Sequence, residues 1–452
     1  MRDYQKIIHA HVYLRENKVG QLEKNPIHGY SFTYDLTYLR AKNPVPVACV
    51  FPLQEEPFYS PELHPFFDNL ILEGWLLSSA EKIFHIDRRN RFAVLMAVGR
   101  SPVGAVSVHP LDLDGEEIEL NDLKDDIPNF ATHLVEVEIP SDGGVCPICF
   151  KNSPKDRITH LQCERSIWGT SRKLQIELDS EQPLASFSRT IYGGSISGAQ
   201  RKGLFSLDIK KGIISPNPLG SQYILKPDGD YPELPANEHL TMAIARKVGF
   251  NVPPSTLIHI PELGYVYVIR RFDQVRGGLK RRMEDMAQLI NTPSDDKYRS
   301  SNEAIGKAIR TFSAAPALDL NDFFRRLVFC FLVGNADMHL KNWSLLEKES
   351  LNGEMDLSPC YDFLNTRLPI PREQTDIGLP ILGKSKKLQG SYFSKFAVQY
   401  LKVEPRFVNK IFSELPFWHE VIEDFTAKSY LAASSRKRYL EIVRERFQTL
   451  MS

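Results

Sequence analysis

The chain has 452 residues, of which 42% are hydrophobic, and its 56 lysines and arginines balance 56 aspartates and glutamates. This length predicts two or three domains with a sizeable core, and the balanced charge gives no global preference for nucleic acid or an anionic membrane. The N-terminus lacks a long apolar core, and no stretch approaches the ~18 apolar residues of a membrane-spanning helix. We therefore expect a cytoplasmic protein with no membrane partner.

The first part of the chain alternates apolar and polar side chains. Segments such as 10–14 and 30–34, separated by Gly, Asn and Pro turns, predict short strands in an N-terminal domain over residues 1–110. From Leu111 to Asp126 the chain is dominated by Asp and Glu, with Lys124 as its only base. We interpret residues 111–144 as an acidic linker region, because such a charge run is typically solvated.

A Cys-x2-Cys pair and a His-x2-Cys pair follow, about ten residues apart. Their members are Cys146, Cys149, His160 and Cys163. A Cys-x2-Cys turn can direct two thiolates at one zinc ion, and the second pair could complete a tetrahedron. A set of reduced, partly buried thiols without metal is an equally good interpretation in a reducing cytosol. Both alternatives stay open at the level of sequence.

A glycine-rich segment, residues 192–202, precedes an apolar strand that ends in Lys226. Glycines let the backbone approach phosphate oxygens, and successive N–H groups in a turn bind anions. Glu238 stands at the start of the next segment, where the spacing of apolar residues predicts a helix over 237–248. A strand lysine that pairs with a helix glutamate forms half of a kinase nucleotide site. A plain turn and a surface lysine would be the alternative.

The apolar run 323–333 predicts a buried helix that leads directly into a polar segment with Asp337, His339 and Asn342. Asp362 follows, just before a phenylalanine. In protein kinases an aspartate accepts the hydroxyl proton, an asparagine five residues later holds magnesium, and a downstream Asp-Phe supplies a second magnesium ligand. Residues 345–346 and 355–357 predict short strands around a turn, and helical patterns dominate beyond Met283. Helix capping alone would be the other explanation of these polar residues.

This order, a strand-rich part followed by a helical part, predicts an α+β, protein-kinase-like bilobal fold. We place the kinase N-lobe with its Gly-rich loop at 145–273 and the helical C-lobe with the catalytic loop at 274–452. The motifs resemble those of the HipA family of serine/threonine kinases, the toxins of bacterial type II toxin–antitoxin modules. The matching segments are Ser195-Ile196-Ser197-Gly198-Ala199-Gln200-x-Lys202, Asp337-x-His339-x-x-Asn342, Tyr361-Asp362, the hinge-like 267–273, the polar 284–288, and 65–74 in a small α/β N-terminal domain.

The resemblance implies ATP and Mg²⁺ as cofactors, with zinc possible at the cysteines. It also implies that Asp337, His339 and Asn342 are the catalytic residues, with His339 orienting Asp337 or packing under the loop. By the same resemblance, Asn342 and Asp362 are expected to hold magnesium. The residues expected to bind ATP are Ser197, Gly198, Ala199, Gln200, Lys202, Lys226, Arg271 and Phe272. Ser195 and Ser197 are the candidates for autophosphorylation, which would place negative charge beside the ATP phosphates.

The resemblance also implies partners. They are a translation protein as substrate, such as an aminoacyl-tRNA synthetase, and a helix-turn-helix antitoxin through which DNA is contacted indirectly. Two other functions stay open. One is a corepressor-like binding module of an antitoxin complex, which would tolerate loss of the catalytic aspartates. The other is a small-molecule kinase, whose Asp-x-x-x-x-Asn loop is similar.

Overall fold

Three successive units build the chain, as seen in a computed structural model that describes residues 3–25, 27–118, 131–141, 144–192, 194–196, 198, 200–275, 277–370 and 375–452. A small α/β unit comes first, a seven-stranded sheet follows, and the last unit is mostly helical. This order confirms the predicted α+β class with a strand-rich lobe before a helical lobe.

The N-terminal unit is a five-stranded antiparallel sheet, in the order β4-β3-β2-β1-β6, covered by short helices. Along β1 every second side chain is buried, as the alternating sequence predicts for a sheet with one face against a core. Its elements are β1 (His9–Leu14), β2 (Asn17–Asn25), β3 (Gly29–Tyr34), α1 (Leu36–Leu39), β4 (Phe58–Ser60), α2 (Pro65–Asp68), α3 (Gly74–Phe84), α4 (Arg91–Val98), β5 (Ser101–Pro102) and β6 (Val106–Pro110).

The second unit is a sheet in the order β13-β14-β12-β10-β11-β8-β7, with one helix, α7, packed against β13 and β14. Its elements are β7 (Thr132–Glu136), α5 (Leu161–Trp168), β8 (Gln175–Asp179), α6 (Ala185–Ser188), β9 (Gly194–Ser195), β10 (Gly203–Asp208), β11 (Ile213–Pro216), β12 (Tyr223–Pro227), α7 (Leu234–Lys247), β13 (Ser255–Ile260) and β14 (Gly264–Arg270). Helix α7 begins three residues before the predicted start because Pro235 is well suited to a first helical turn.

The predicted linker needs a correction. Strand β7 lies within 111–144, yet it pairs with β8 as the edge of the second sheet, so this sheet starts before residue 145. The strand was not recognised because its single inward row is short and three of its five side chains are exposed. Residues 119–130, which hold the second half of the acidic run, lie outside the described residues.

The third unit is built around α10, which is buried along most of its length as the apolar run 323–333 predicts. The two predicted short strands are β16 and β17, and they pair antiparallel. The elements are β15 (Met283–Asp285), α8 (Met286–Leu289), α9 (Asn302–Phe312), α10 (Pro316–Leu332), β16 (Ser344–Glu347), β17 (Met355–Leu357), α11 (Gly390–Phe396), α12 (Pro405–Ala427) and α13 (Ala433–Met451). Within the described ranges, no helix is long and apolar enough to cross a membrane.

The N-terminal unit is docked on both following units. Its apolar core also includes Ile191, Tyr192 and Ile196, which flank the start of the Gly-rich loop. Strand β5 pairs in parallel with β9, so the first residues of this loop form a two-stranded ribbon with the N-terminal unit. On the helical side, the Gln288 amide donates to the Phe66 carbonyl at 3.0 Å. The N-terminal unit therefore contacts both the strand-rich lobe and the helical lobe.

Candidate active site

The polar segment 335–342 is delivered by α10 through a glycine turn. Gly334 has φ +75°, and a Cβ there would approach Ile442 to 2.8 Å, so a side chain would be strained and crowded. The buried side chain of Asn335 then accepts from the Asp337 backbone N–H at 3.1 Å and donates to the Asp362 carbonyl at 3.3 Å. One amide therefore fixes the predicted catalytic loop to the predicted metal motif, a role that was not predicted from the sequence.

Asp337 and Asn342 meet in this loop, as their spacing predicts. The Asn342 amide nitrogen donates to the Asp337 carbonyl at 2.7 Å, and the hydroxyl of Tyr298 donates to the Asp337 carboxylate. Because the Asn342 nitrogen is used on the backbone, its amide oxygen is the atom that can ligate a cation. Tyr298 was missed because it lies 39 residues upstream in a segment with no motif.

His339 packs beneath the loop. Its ring lies edge-on to Tyr298 with 4.9 Å between centroids, and it is almost fully buried. Burial lowers the pKa of His339 to about 3, so the imidazole is neutral near pH 7. A neutral, enclosed ring fits the predicted packing or orienting role better than proton transfer.

Lys226 lies at the centre of the cleft between the lobes. Its ammonium is 2.7 Å from one oxygen of Glu238, 2.9 Å from the other, and 2.5 Å from Oδ1 of Asp362. Lys226 and Glu238 are fully enclosed, while Asp362 is 28% exposed. Burial lowers the pKa of Lys226, but the two carboxylates outweigh it and raise the pKa above its usual value. The strand lysine and the helix glutamate therefore form the ion pair that the sequence predicts.

Asp362 is held in an unusual backbone conformation, with φ +56°. Such a value is uncommon outside glycine and is stabilised by surrounding contacts, frequently at functional sites. Burial raises the pKa of this carboxyl, but the charges of Lys226 and Lys202 have a larger, opposite effect and lower the pKa to about 2. Asp362 is thus a charged oxygen donor facing the same cleft as Asn342. Oxygen ligands of this kind suit Mg²⁺.

The Gly-rich loop closes one side of this cleft. Gly198 has φ +112°, and a Cβ there would lie 2.3 Å from the ammonium of Lys202. Burial lowers the pKa of Lys202 to about 8, with Asp362 opposing the shift. Gln200 is described but does not line the cleft. Of the other predicted loop residues, Ser197 and Ala199 lie outside the described residues.

The hinge-like segment closes the back of the cleft. The Arg271 guanidinium binds Asp273 through two hydrogen bonds of 2.9 and 2.6 Å, and the Gly104 N–H donates to the same carboxylate. Phe272 faces Tyr361 with 5.9 Å between ring centroids. Arg271 and Phe272 both line the cleft as predicted. The Gly104 contact adds a third link from the N-terminal unit.

Residues of the N-terminal unit line the cleft as well, which the sequence analysis missed. Asn69 and Leu70 are among the lining residues. Lys341, between His339 and Asn342, donates to Asn69 Oδ1 at 2.9 Å and lies 2.8 Å from Glu73. Burial raises the pKa of Glu73, but Lys341 and Lys297 outweigh it and lower the pKa well below its usual value. An ion pair therefore joins the N-terminal unit to the catalytic loop.

A second cluster lies away from the cleft. The ligand atoms of Cys146, Cys149, His160 and Cys163 all lie within 4.8 Å of one another. The structure therefore brings together all four residues of the predicted metal site, which we call the Cys/His cluster. Burial raises the pKa of Cys163 to about 12, and the neighbouring thiols raise it in the same direction.

Most of the chain is similar to known proteins. Residues 10–109 match the HipA N-terminal domain, and residues 194–419 match the HipA-like C-terminal domain. A Sinorhizobium fredii protein described as a candidate kinase is 27% identical over 82% of this chain and 77% of its own length. The serine/threonine-protein kinase toxin HipA of Shewanella oneidensis is 24% identical over 68% of this chain and 64% of its own length.

A solved structure is also similar over nearly the whole chain. It is the Shewanella oneidensis toxin–antitoxin complex of HipA, HipB and operator DNA. One of its chains superposes with a TM-score of 0.66 at 18% identity, and the alignment covers 97% of this chain and 96% of that chain. The arrangement of all three units is therefore that of a known fold.

Proposed function

The chain belongs to the HipA family of kinases, and we propose that it transfers the γ-phosphoryl group of ATP to a serine or threonine hydroxyl of a protein. The observation that carries this proposal is the position of Lys226, whose ammonium contacts both Glu238 and Asp362 in the cleft. In kinases this lysine–glutamate pair and the metal-binding aspartate must be in place together. A corepressor without catalysis would have no need for that arrangement.

Each residue has a role in this proposal. Asp337 orients the acceptor hydroxyl and takes its proton, while Tyr298 fixes the rotamer of the carboxylate. Lys226 and Lys202 balance the charge of the nucleotide phosphates. Asn342 and Asp362 would hold Mg²⁺, which when bound neutralises charge on the phosphates. Phe272 and Arg271 would contact the nucleotide from the hinge side.

The proposed partners follow from the family. We propose a protein of the translation machinery, such as an aminoacyl-tRNA synthetase, as the substrate. We propose a helix-turn-helix antitoxin as the binding partner, with DNA contacted through it. The similar Shewanella structure, which contains HipA, HipB and operator DNA, supports this second proposal.

The full chain should transfer label from γ-labelled ATP to serine or threonine of a protein in nucleotide-depleted bacterial extract, and EDTA should abolish the transfer. Phosphopeptide mass spectrometry identifies the acceptor, and the same preparation is given aminoglycosides and choline in parallel. Label in a small molecule and in no protein would favour the small-molecule kinase. Absence of label in every acceptor would favour the binding module.

We further propose that the kinase phosphorylates Ser195 and thereby inactivates itself. Ser195 is only 1% exposed, its hydroxyl donates to the Leu70 carbonyl at 2.6 Å, and its strand pairs with β5. A phosphate adds roughly −1.5 to −2 charges and three oxygens, which this enclosed position cannot hold. Modification would therefore release the loop from the N-terminal unit. Ser197, the other candidate, has no structural description.

Mass spectrometry of the active protein should find phosphate on Ser195 or Ser197, and Asp337→Asn protein should carry none. The phosphorylated fraction should bind ATP at least about tenfold more weakly, because like charges face each other near the phosphate site. Ser188→Ala, outside the loop, is the control. The proposed self-inactivation would be ruled out if both serines are unmodified in active protein and Ser195→Asp binds ATP as tightly as the parent.

A further inference from the structure

The Cys/His cluster has the donors and the shape of a structural zinc site. Three thiolates and one imidazole are soft ligands that select Zn²⁺ over Mg²⁺ or Ca²⁺, and four protein ligands leave no open position for chemistry. The Cys149 sulfur and Nδ1 of His160 are 3.5 Å apart. Zinc bonds of ~2.3 Å to sulfur and ~2.0 Å to nitrogen at a tetrahedral angle give about the same separation.

The backbone around the first pair is already folded as a knuckle. The Cys146 N–H donates to the Lys151 carbonyl, and the Phe150 N–H donates back to the Cys146 carbonyl, both at 2.9 Å. The Lys151 N–H in turn donates to the Cys149 sulfur. On the other side, His160 immediately precedes α5 and Cys163 lies in its first turn, so the start of this helix holds the second pair.

This knuckle is packed against α7, the helix that carries Glu238. The next residue, His239, is buried and donates through Nε2 to the Pro147 carbonyl at 2.5 Å. Two turns further, Arg246 donates to the Ile148 carbonyl at 3.0 Å. Thus both carbonyls between Cys146 and Cys149 are used to hold α7.

Phe150, directly after the knuckle, extends this contact. Its ring stacks on Phe425 of α12 with 4.7 Å between centroids and an interplanar angle of 3°, and it lies 5.2 Å from the His239 ring. Phe150 itself has φ +57°, a conformation that a well-defined turn must maintain. The knuckle therefore joins α7 to the helical lobe.

We propose that the Cys/His cluster binds one zinc ion, and that the zinc holds α7 where Glu238 pairs with Lys226. Without the metal, no ion joins the Cys146/Cys149 pair to the His160/Cys163 pair. The Pro147 and Ile148 carbonyls, which lie between the first two cysteines, then no longer have a fixed position. The part of the helix that carries Glu238 and His239 would then be free to shift. A displacement of about 1 Å at a catalytic group can cost about a hundredfold in rate.

The test uses the full chain and a matched cysteine. The protein as purified should contain about one zinc per chain, the content of a single four-ligand site. Cys163→Ser should lower this content at least tenfold, while Cys49→Ser, a half-buried cysteine outside the cluster, should leave it unchanged. Cobalt-loaded parent protein should show thiolate charge-transfer absorption that Cys163→Ser lacks. A folded parent without bound zinc would overturn the site.

The coupling to α7 is measured without relying on kinase activity. In the zinc-free parent, prepared by chelation, amide hydrogen exchange in 234–247 should rise at least tenfold and return on adding zinc. Phosphoryl transfer, where present, should fall in kcat by about ten- to a hundredfold. Unchanged exchange in α7 between the zinc-bound and zinc-free protein would overturn the coupling, even if zinc is bound. Because exchange and zinc content need no ATP, they remain decisive if the proposed kinase activity is absent.

Discussion

Asp337→Asn should lower phosphoryl transfer by about 10²–10⁴-fold, the usual contribution of a positioned general base. The substitution keeps the size of the side chain and leaves an oxygen to accept the Tyr298 hydroxyl, so the loop should keep its shape. What it removes is the charge and the ability to take a proton. ATP affinity should therefore change little, and the loss should appear in kcat. The measurement is steady-state transfer at saturating Mg²⁺ and ATP.

Tyr298→Phe is the matched comparison, because it removes the hydrogen bond to Asp337 and keeps the carboxylate. If Tyr298 only fixes the rotamer, kcat should fall by no more than about tenfold, well below the loss for Asp337→Asn. Equal losses in the two variants would mean that the hydroxyl itself acts on the substrate. Wild-type kcat in Asp337→Asn would rule out Asp337 as the base.

The shape of the loop 335–342 could be predicted from the sequence because its residues are close together along the chain. Asp337, His339 and Asn342 span six residues after a helix whose apolar run identifies it as buried, so their order alone fixes their neighbourhood. Lys226 and Glu238 were predicted in the same way, as the end of one strand and the start of the next helix. The contact of Lys226 with Asp362, more than a hundred residues later, needed the comparison with kinase motifs.

The contribution of the N-terminal unit could not be predicted from local pattern. Lys341 and Asn69 are 272 residues apart, and nothing in either segment indicates the other. Lys341 is also buried against expectation, since a lysine in a polar turn is usually exposed. Likewise, the Gly-rich segment predicted an anion-binding turn, and nothing in it indicated that the Ser195 hydroxyl would be buried against the Leu70 carbonyl. Whether a polar group is buried by a distant segment depends on tertiary packing, and the periodicity of apolar residues along the sequence does not indicate that packing.

Lys226→Met should destabilise the protein by about 3–5 kcal/mol as well as abolish transfer, because Glu238 and Asp362 both lose the ammonium that contacts them in an enclosed cleft. Glu238 has no exposed surface at all. Burial already raises the pKa of Glu238 above its usual value, with Lys226 opposing the shift. In the variant that opposition is gone, so the native state should take up a proton. The free energy of unfolding should therefore increase as the pH is lowered from 8 to 6.

Urea unfolding measures this stability, and a double variant separates it from catalysis. Lys226→Met with Glu238→Gln removes the buried negative charge together with its partner, so it should recover most of the lost free energy of unfolding and lose the pH dependence between 8 and 6. Transfer should stay absent, because Lys202 alone remains to balance the charge of the nucleotide phosphates. Lys211→Met, at an exposed position, should change stability by no more than about 0.5 kcal/mol. If the double variant is as unstable as Lys226→Met, the lysine supports the cleft by packing rather than by charge.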